Sequence, residues 1–216
     1  QLSAGRSYAV VSLNPLEAQA FAFLLPRFIE PQSGRVLFDG EDIAWSTLES
    51  IRAETLFVTA DDPFLPGSVL DNLRAGLDSV TLTQATEAAK EARAHNFLSR
   101  LPQGYESILE GAETQFDAGQ RLRLALARAL VRKPALLIIA EPRDGMDEAT
   151  KQLLDDTYSR ICQGRTVFFL PQRLSTLRRV DDIILLRGGR VEAMGPHALL
   201  VKQSPLYRHW KTMHFH

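Results

Sequence analysis

The chain has one cysteine among 216 residues, Cys162, so it cannot close an internal disulfide and fits a reducing compartment. It lacks an excess of either charge: the formal net charge is −1, which gives no reason to expect nucleic acid or anionic lipid as a partner. No apolar run approaches the roughly 18–20 residues needed to cross a bilayer. The longest candidate, from Ala18 to Leu25, contains Gln19 and stops at Pro26. Gln1-Leu2-Ser3-Ala4-Gly5 also lacks the charged-then-apolar order of a secretory signal. If the protein acts at a membrane, the spanning part is expected on another chain or outside this segment. Internal repeats and low-complexity stretches are absent too.

What is present is ordinary globular composition, 45% hydrophobic and 24% charged, in a length that suits one domain or one domain with a subdomain. Apolar runs alternate with helix-like stretches. Tyr8 to Leu13, Glu54 to Thr59, Ala135 to Ile139, Arg165 to Leu170 and Asp182 to Leu186 read as strands. Their unbroken Val/Ile/Leu/Phe character predicts a parallel sheet covered on both faces, hence an α/β fold. A helix is expected after the first strand, reaching about Phe28, with Phe21, Phe23, Leu24 and Leu25 in the core. Gly188-Gly189 between Leu186 and Val191 signals a hairpin. No strand is expected between Gly67 and Gly119, where Thr83 to Ala94 reads as a helix capped by Thr83. A second helix runs through Gln120 to Leu130. The helical insert, about 68–118, is expected to be a subdomain of a core made of 1–67 and 119–216.

Gly119-Gln-Arg-Leu-Arg-Leu-Ala-Leu-Ala-Arg-Ala-Leu-Val-Arg-Lys-Pro134 followed by Ala135-Leu-Leu-Ile-Ile-Ala-Glu-Pro142 resembles the ATP-binding-cassette domains, closest to the exporter type. In that family a signature motif opens this helix, and the apolar strand after it ends in Asp-Glu. Further matches fall in order: Pro31-Gln-Ser-Gly34 with Val36-Leu-Phe-Asp-Gly40, Gly67-Ser-Val-Leu-Asp-Asn72, Leu101-Pro-Gln-Gly-Tyr105, Arg173-Leu-Ser-Thr176, and Gly189-Arg-Val-Glu192 with Gly195-Pro-His197. The resemblance implies a P-loop NTPase-like core. It also implies that the first strands and an adenine-stacking aromatic precede Gln1.

The positions that carry chemistry in this family depart from its pattern. A phosphate loop needs glycines so that backbone N–H groups converge on phosphate, a lysine for charge, and a Ser/Thr hydroxyl for Mg²⁺. Aligned on the resemblance, Ser12, Pro15 and Glu17 replace glycines, Ala18 replaces lysine, and Gln19 replaces the hydroxyl residue. Pro15 has no N–H to donate. Glu17 would repel a phosphate about 4 Å away by about 4 kcal/mol at an effective dielectric near 20. The alternative is that this segment is simply a strand–turn–helix. Ala140 and Ala60 stand at the other two Mg²⁺-organising positions, the strand end and the glutamine loop, and alanine offers no oxygen ligand.

Glu141 stands at the general-base position, and Gln172 at that of its switch histidine, which glutamine cannot replace as a proton carrier. Glu141 is read as a relict or a structural acceptor. The signature reads Phe116-Asp117-Ala118-Gly119-Gln120. Asp117 either repels a nucleotide presented by an opposite domain or caps the helix, while Ala118 adds a Cβ where the family's backbone approaches phosphate. Asp147 remains from the dimer-contact loop, and Pro63 to Pro66 either line a groove for membrane-spanning helices or belong to the core. His209, His214 and His216 are read as incidental rather than as a metal site.

The resemblance therefore implies a cassette domain of a transporter, paired with a membrane-spanning domain and a second nucleotide-binding domain at the cytoplasmic face of a membrane. With its ATP and Mg²⁺ positions altered, no cofactor and no hydrolysis of its own are expected. Two other readings stay open: a transport ATPase that builds one composite site with a competent partner, and a soluble interaction module.

Overall fold

In the computed structural model, residues 1–109, 111 and 115–215 are described. The chain divides into two compact units, one of 1–57, 135–141 and 164–216, the other of 58–134 and 142–163.

The first unit is built on a six-stranded sheet ordered β4-β5-β6-β1-β7-β8. Strand β1 (Ser7–Ser12) is buried along its whole length, as an unbroken apolar run requires. It pairs in parallel with β6 (Thr166–Leu170) on one side and β7 (Asp182–Arg187) on the other. Strand β6 pairs in parallel with β5 (Leu136–Ala140), and β4 (Thr55–Thr59) forms the far edge. At the opposite edge β7 turns back into antiparallel β8 (Arg190–Gly195). Both turn residues, Gly188 and Gly189, have positive φ, +59° and +71°, which the tight hairpin needs and glycine supplies without strain. The five strands expected from the apolar runs are all present, shifted by a residue or two.

Helix α1 (Pro15–Leu24) follows β1 and ends short of the expected Phe28. Arg27 takes a left-handed φ of +51°, and the Phe28 N–H returns to the Phe23 carbonyl at 2.9 Å. The core contribution of α1 also differs from expectation. Leu25 is buried, but Phe21, Phe23 and Leu24 are only half-buried, and Ala18 and Ala22 are the α1 residues inside the core with Tyr8, Val10, Ile138, Phe168, Ile184 and Leu186. Small side chains let the helix lie close on the sheet.

After α1 come a short hairpin, β2 (Leu37–Phe38) with β3 (Glu41–Asp42), a 3₁₀ turn (Ile43–Trp45) and α2 (Leu48–Glu54). The second unit holds α3 (Val69–Arg74), α4 (Leu82–Glu91), α5 (His95–Leu98), α6 (Ala118–Leu130) and α7 (Glu148–Ile161). Among the described residues between Gly67 and Gly119 the only β feature is an isolated bridge, Ser68 to Ile108. The cap of α4 is Thr81 rather than Thr83. Gln84 N–H donates to Thr81 Oγ1 at 3.2 Å while Gln84 Oε1 accepts from Thr81 N–H at 2.9 Å, a complete capping box that Thr83, two residues inside, cannot form. The first unit ends with α8 (Leu174–Arg179), α9 (His197–Gln203) and α10 (Pro205–His214).

Candidate functional site

Parallel strands direct their carboxyl ends to one side, where an α/β sheet ordinarily holds its ligand. In the first unit the segments after β1, β5, β6 and β7 meet this description, and they carry Ser12–Gln19, Glu141, Gln172 and Gly188.

The segment after β1 is closed on itself. Asn14 caps α1, its Oδ1 accepting the Leu16 N–H at 3.1 Å, with Pro15 at the first helical position where its missing N–H costs nothing. The Asn14 N–H donates to Ser12 Oγ at 3.2 Å, and the Glu17 N–H to the Asn14 carbonyl at 3.0 Å. From Asn14 to Glu17, each backbone N–H is thus donated within the segment, and Pro15 has none. Ser12 is 4% exposed and donates its hydroxyl to Glu17 Oε2 at 2.8 Å, while the other carboxylate oxygen, Oε1, accepts the Gly188 N–H at 3.1 Å. Ala18 lies in the core and Gln19 is exposed.

Glu141 directly follows β5 and is buried. Its Oε2 accepts the Gln172 backbone N–H at 2.8 Å; its Oε1 accepts Thr176 Oγ1 at 2.7 Å and Arg173 Nε at 3.2 Å. The Glu141 side chain is 0% exposed and that of Arg173 8%, so this is a buried, hydrogen-bonded ion pair. Glu141 and Gln172 are therefore brought together, through the glutamine's main chain. Three of the roughly four lone-pair sites of this carboxylate are thus met by the protein's own donors.

The second unit holds the remaining positions. Asp117 is the N-cap of α6: Asp117 Oδ1 accepts the Gln120 N–H at 2.8 Å and Gln120 Oε1 accepts the Asp117 N–H at 3.0 Å. Asp147 caps α7 in the same way, accepting the Thr150 N–H at 2.7 Å, and these bonds hold its carboxyl below the ordinary range. Gly119 sits where α6 meets α7; a Cβ there would fall 2.1 Å from Thr150 Cγ2. Between the two caps, the buried Arg123 donates to the Gly119 carbonyl at 3.2 Å and the Arg93 carbonyl at 2.9 Å, and burial lowers its pKa against the pull of Asp117 and Asp147. Ala118 is 8% exposed and Ala60 3%. Beyond Ala60, Pro63 and Pro66 are exposed and Phe64 and Leu65 half-buried, with Phe64 edge-on to Phe116 at 5.5 Å.

Ala60 and Ala140 bring no side-chain oxygen to the positions aligned with Mg²⁺ ligands, and Gln19 at the third is exposed; among the described residues no three His, Cys, Asp or Glu side chains cluster to hold a metal. His209 and His214 belong to α10, where His214 stacks on Trp210 at 4.6 Å; His216 lies outside the described residues.

Sequence reasoning missed five contributors. Asn14 could have been found from the Asn-Pro pair, a cap followed by a first-turn proline. Arg173 and Thr176 were visible only as motif residues, and nothing local shows that they close on Glu141. Gly188 and Thr150 meet their partners across 171 and 31 positions of chain, which no local pattern reveals.

A mostly parallel α/β sheet, with these loops at its strand ends and a capped helix opening at residue 118, defines a nucleotide-binding domain of the P-loop, cassette-ATPase class. A family model described as ABC transporter matches residues 21–144. The chain is 34% identical over 204 residues to an uncharacterized ABC transporter ATP-binding protein of Bacillus subtilis, covering 94% of this chain and 34% of that one. It is 33% identical over 215 residues to an ATP-dependent lipid A-core flippase of Methylococcus capsulatus, covering 99% and 36%. A bacterial Atm1-family ABC exporter solved with ATP bound superposes with a TM-score of 0.87 at 32% identity, over 98% of this chain and 37% of the other. The chain belongs to the ABC transporter family, as an exporter-type nucleotide-binding domain. It spans between 16% and 36% of the length of the curated relatives it matches. Among the described residues no helix is long and apolar enough to cross a membrane.

Proposed function

We propose that this domain is a non-hydrolysing member of its family, kept as a structural or regulatory partner in transmembrane transport. The observation that carries the reading is the closed segment after β1, in which Asn14, Leu16 and Glu17 donate their N–H groups to the chain itself. Phosphate binding there would require breaking those bonds without a lysine to compensate. The buried pair of Glu141 and Arg173 supports the same reading, since the base position is occupied by a structural contact.

In this reading the domain sits at the cytoplasmic face of a membrane. It docks on a membrane-spanning domain through the region of Pro63 to Pro66 and pairs with a second nucleotide-binding domain. Residues 68–118 serve as its helical subdomain. A composite ATP site shared with a competent partner is the less favoured reading, because Asp117 and Gln120 are engaged with each other in the capping box. Calorimetric titration of the domain with ATP·Mg²⁺ tests the proposal. No binding is expected tighter than about 1 mM, or about −4 kcal/mol, and a tighter constant overturns it.

A further inference from the structure

The Glu17 carboxylate does more than withhold a site from phosphate. It takes one donor from the end of β1 and another from the β7–β8 turn: Ser12 Oγ on Oε2 at 2.8 Å and the Gly188 N–H on Oε1 at 3.1 Å. These donors lie on neighbouring strands of the sheet, at the end where the strands open onto the loops. Glu17 itself is in the first turn of the ten-residue α1, where the helix dipole favours an anion. The same hydroxyl that it binds also receives the Asn14 N–H, so the whole segment is connected through one carboxylate.

We infer that Glu17 is an anionic latch, an intramolecular carboxylate that locks the segment after β1 shut by joining Ser12 to the β7–β8 turn. The inference rests on the proposed function for its meaning, a strand-to-helix segment closed to phosphate, but the latch itself is a separate claim. Charge-assisted hydrogen bonds are stronger than neutral ones. Neutral glutamine keeps an acceptor for one donor but not for two, and alanine keeps none.

Amide hydrogen exchange by NMR on the wild type, Glu17→Gln and Glu17→Ala tests it. With Gly189 as the internal reference, Gly188 exchange is expected to accelerate by about tenfold or more in Glu17→Ala. Glu17→Gln, which leaves the packing of α1 in place, should fall between. Unchanged Gly188 exchange in both variants overturns the latch. The second arm titrates inorganic tripolyphosphate into the wild type while following the amides of residues 12–19. Saturable shifts there would overturn the non-binding reading and leave the Gly188 result standing, so the two failures are told apart.

Discussion

Glu141 shows how closely a single carboxylate can be held by its surroundings. Its neighbours are a main-chain N–H, a hydroxyl and a guanidinium, all within 3.2 Å, in a place without solvent. Such a pair need not stabilise the fold more than apolar residues would, but breaking it strands a buried charge. Glu141→Gln is therefore expected to destabilise the domain by about 3–5 kcal/mol, because it removes the buried carboxylate that Arg173, Thr176 and the Gln172 N–H all meet. Urea denaturation measures this directly. A variant as stable as the wild type would mean that Glu141 is free to act on something else. Ser12 and Glu17 follow the same logic, since each is used here as a hydrogen-bonding side chain.

At the scale of elements, the starts of α6 and α7 explain why parts of the signature survive. Asp117 and Asp147 each satisfy N–H groups that a helix start leaves open. Gly119 allows the two helices to touch, with Thr150 Cγ2 lying 2.1 Å from where a Cβ would be. Gly119→Ala should thus cost about 1–3 kcal/mol through overpacking. Adding Thr150→Ser, which removes the offending methyl and keeps the hydroxyl, should recover most of the loss. The pair is a double-mutant cycle read by thermal or chemical denaturation. Strict additivity of the two changes would refute the packing account and return Gly119 to a role toward nucleotide.

At the scale of the whole molecule, one contribution to the pH dependence of stability comes from α9 and α10. His197 Nδ1 meets the Tyr207 hydroxyl at 2.8 Å, and burial, followed by the charges of Arg178 and Lys211, pushes the histidine's pKa below its usual value. Burial raises the Tyr207 pKa. The unfolded chain takes up the His197 proton near pH 6.5 and the folded one resists it. This contribution to stability is complete above about pH 6.5 and declines as pH falls through that value toward the folded pKa. The urea midpoint of the wild type is expected to drop as pH falls below about 6.5, and that of His197→Asn to drop less over the same interval. Parallel curves for the two proteins would assign the pH response to other groups. The carboxyls of Asp71, Asp147 and Asp181 are held low by their hydrogen bonds, so they contribute only at more acid pH.

The sequence determined the α/β class, the parallel strands and the order of the motifs, because apolar periodicity and glycine turns act over a few residues and need no partner. It also motivates the proposed loss of the ATP site, since an alanine at 18, 60 or 140 cannot supply a side-chain charge or oxygen in any fold. The length of α1 and the choice between Thr81 and Thr83 as the α4 cap were less legible. They turn on single backbone angles and one glutamine's reach. Only the tertiary structure decided what Glu17 and Glu141 bond to. Glu17 finds Gly188 across 171 positions and Glu141 finds Thr176 across 35, because the sheet brings the ends of distant strands together. A carboxylate's role depends on which donors reach it and how much water remains. Those are properties of packing, which residue order leaves open.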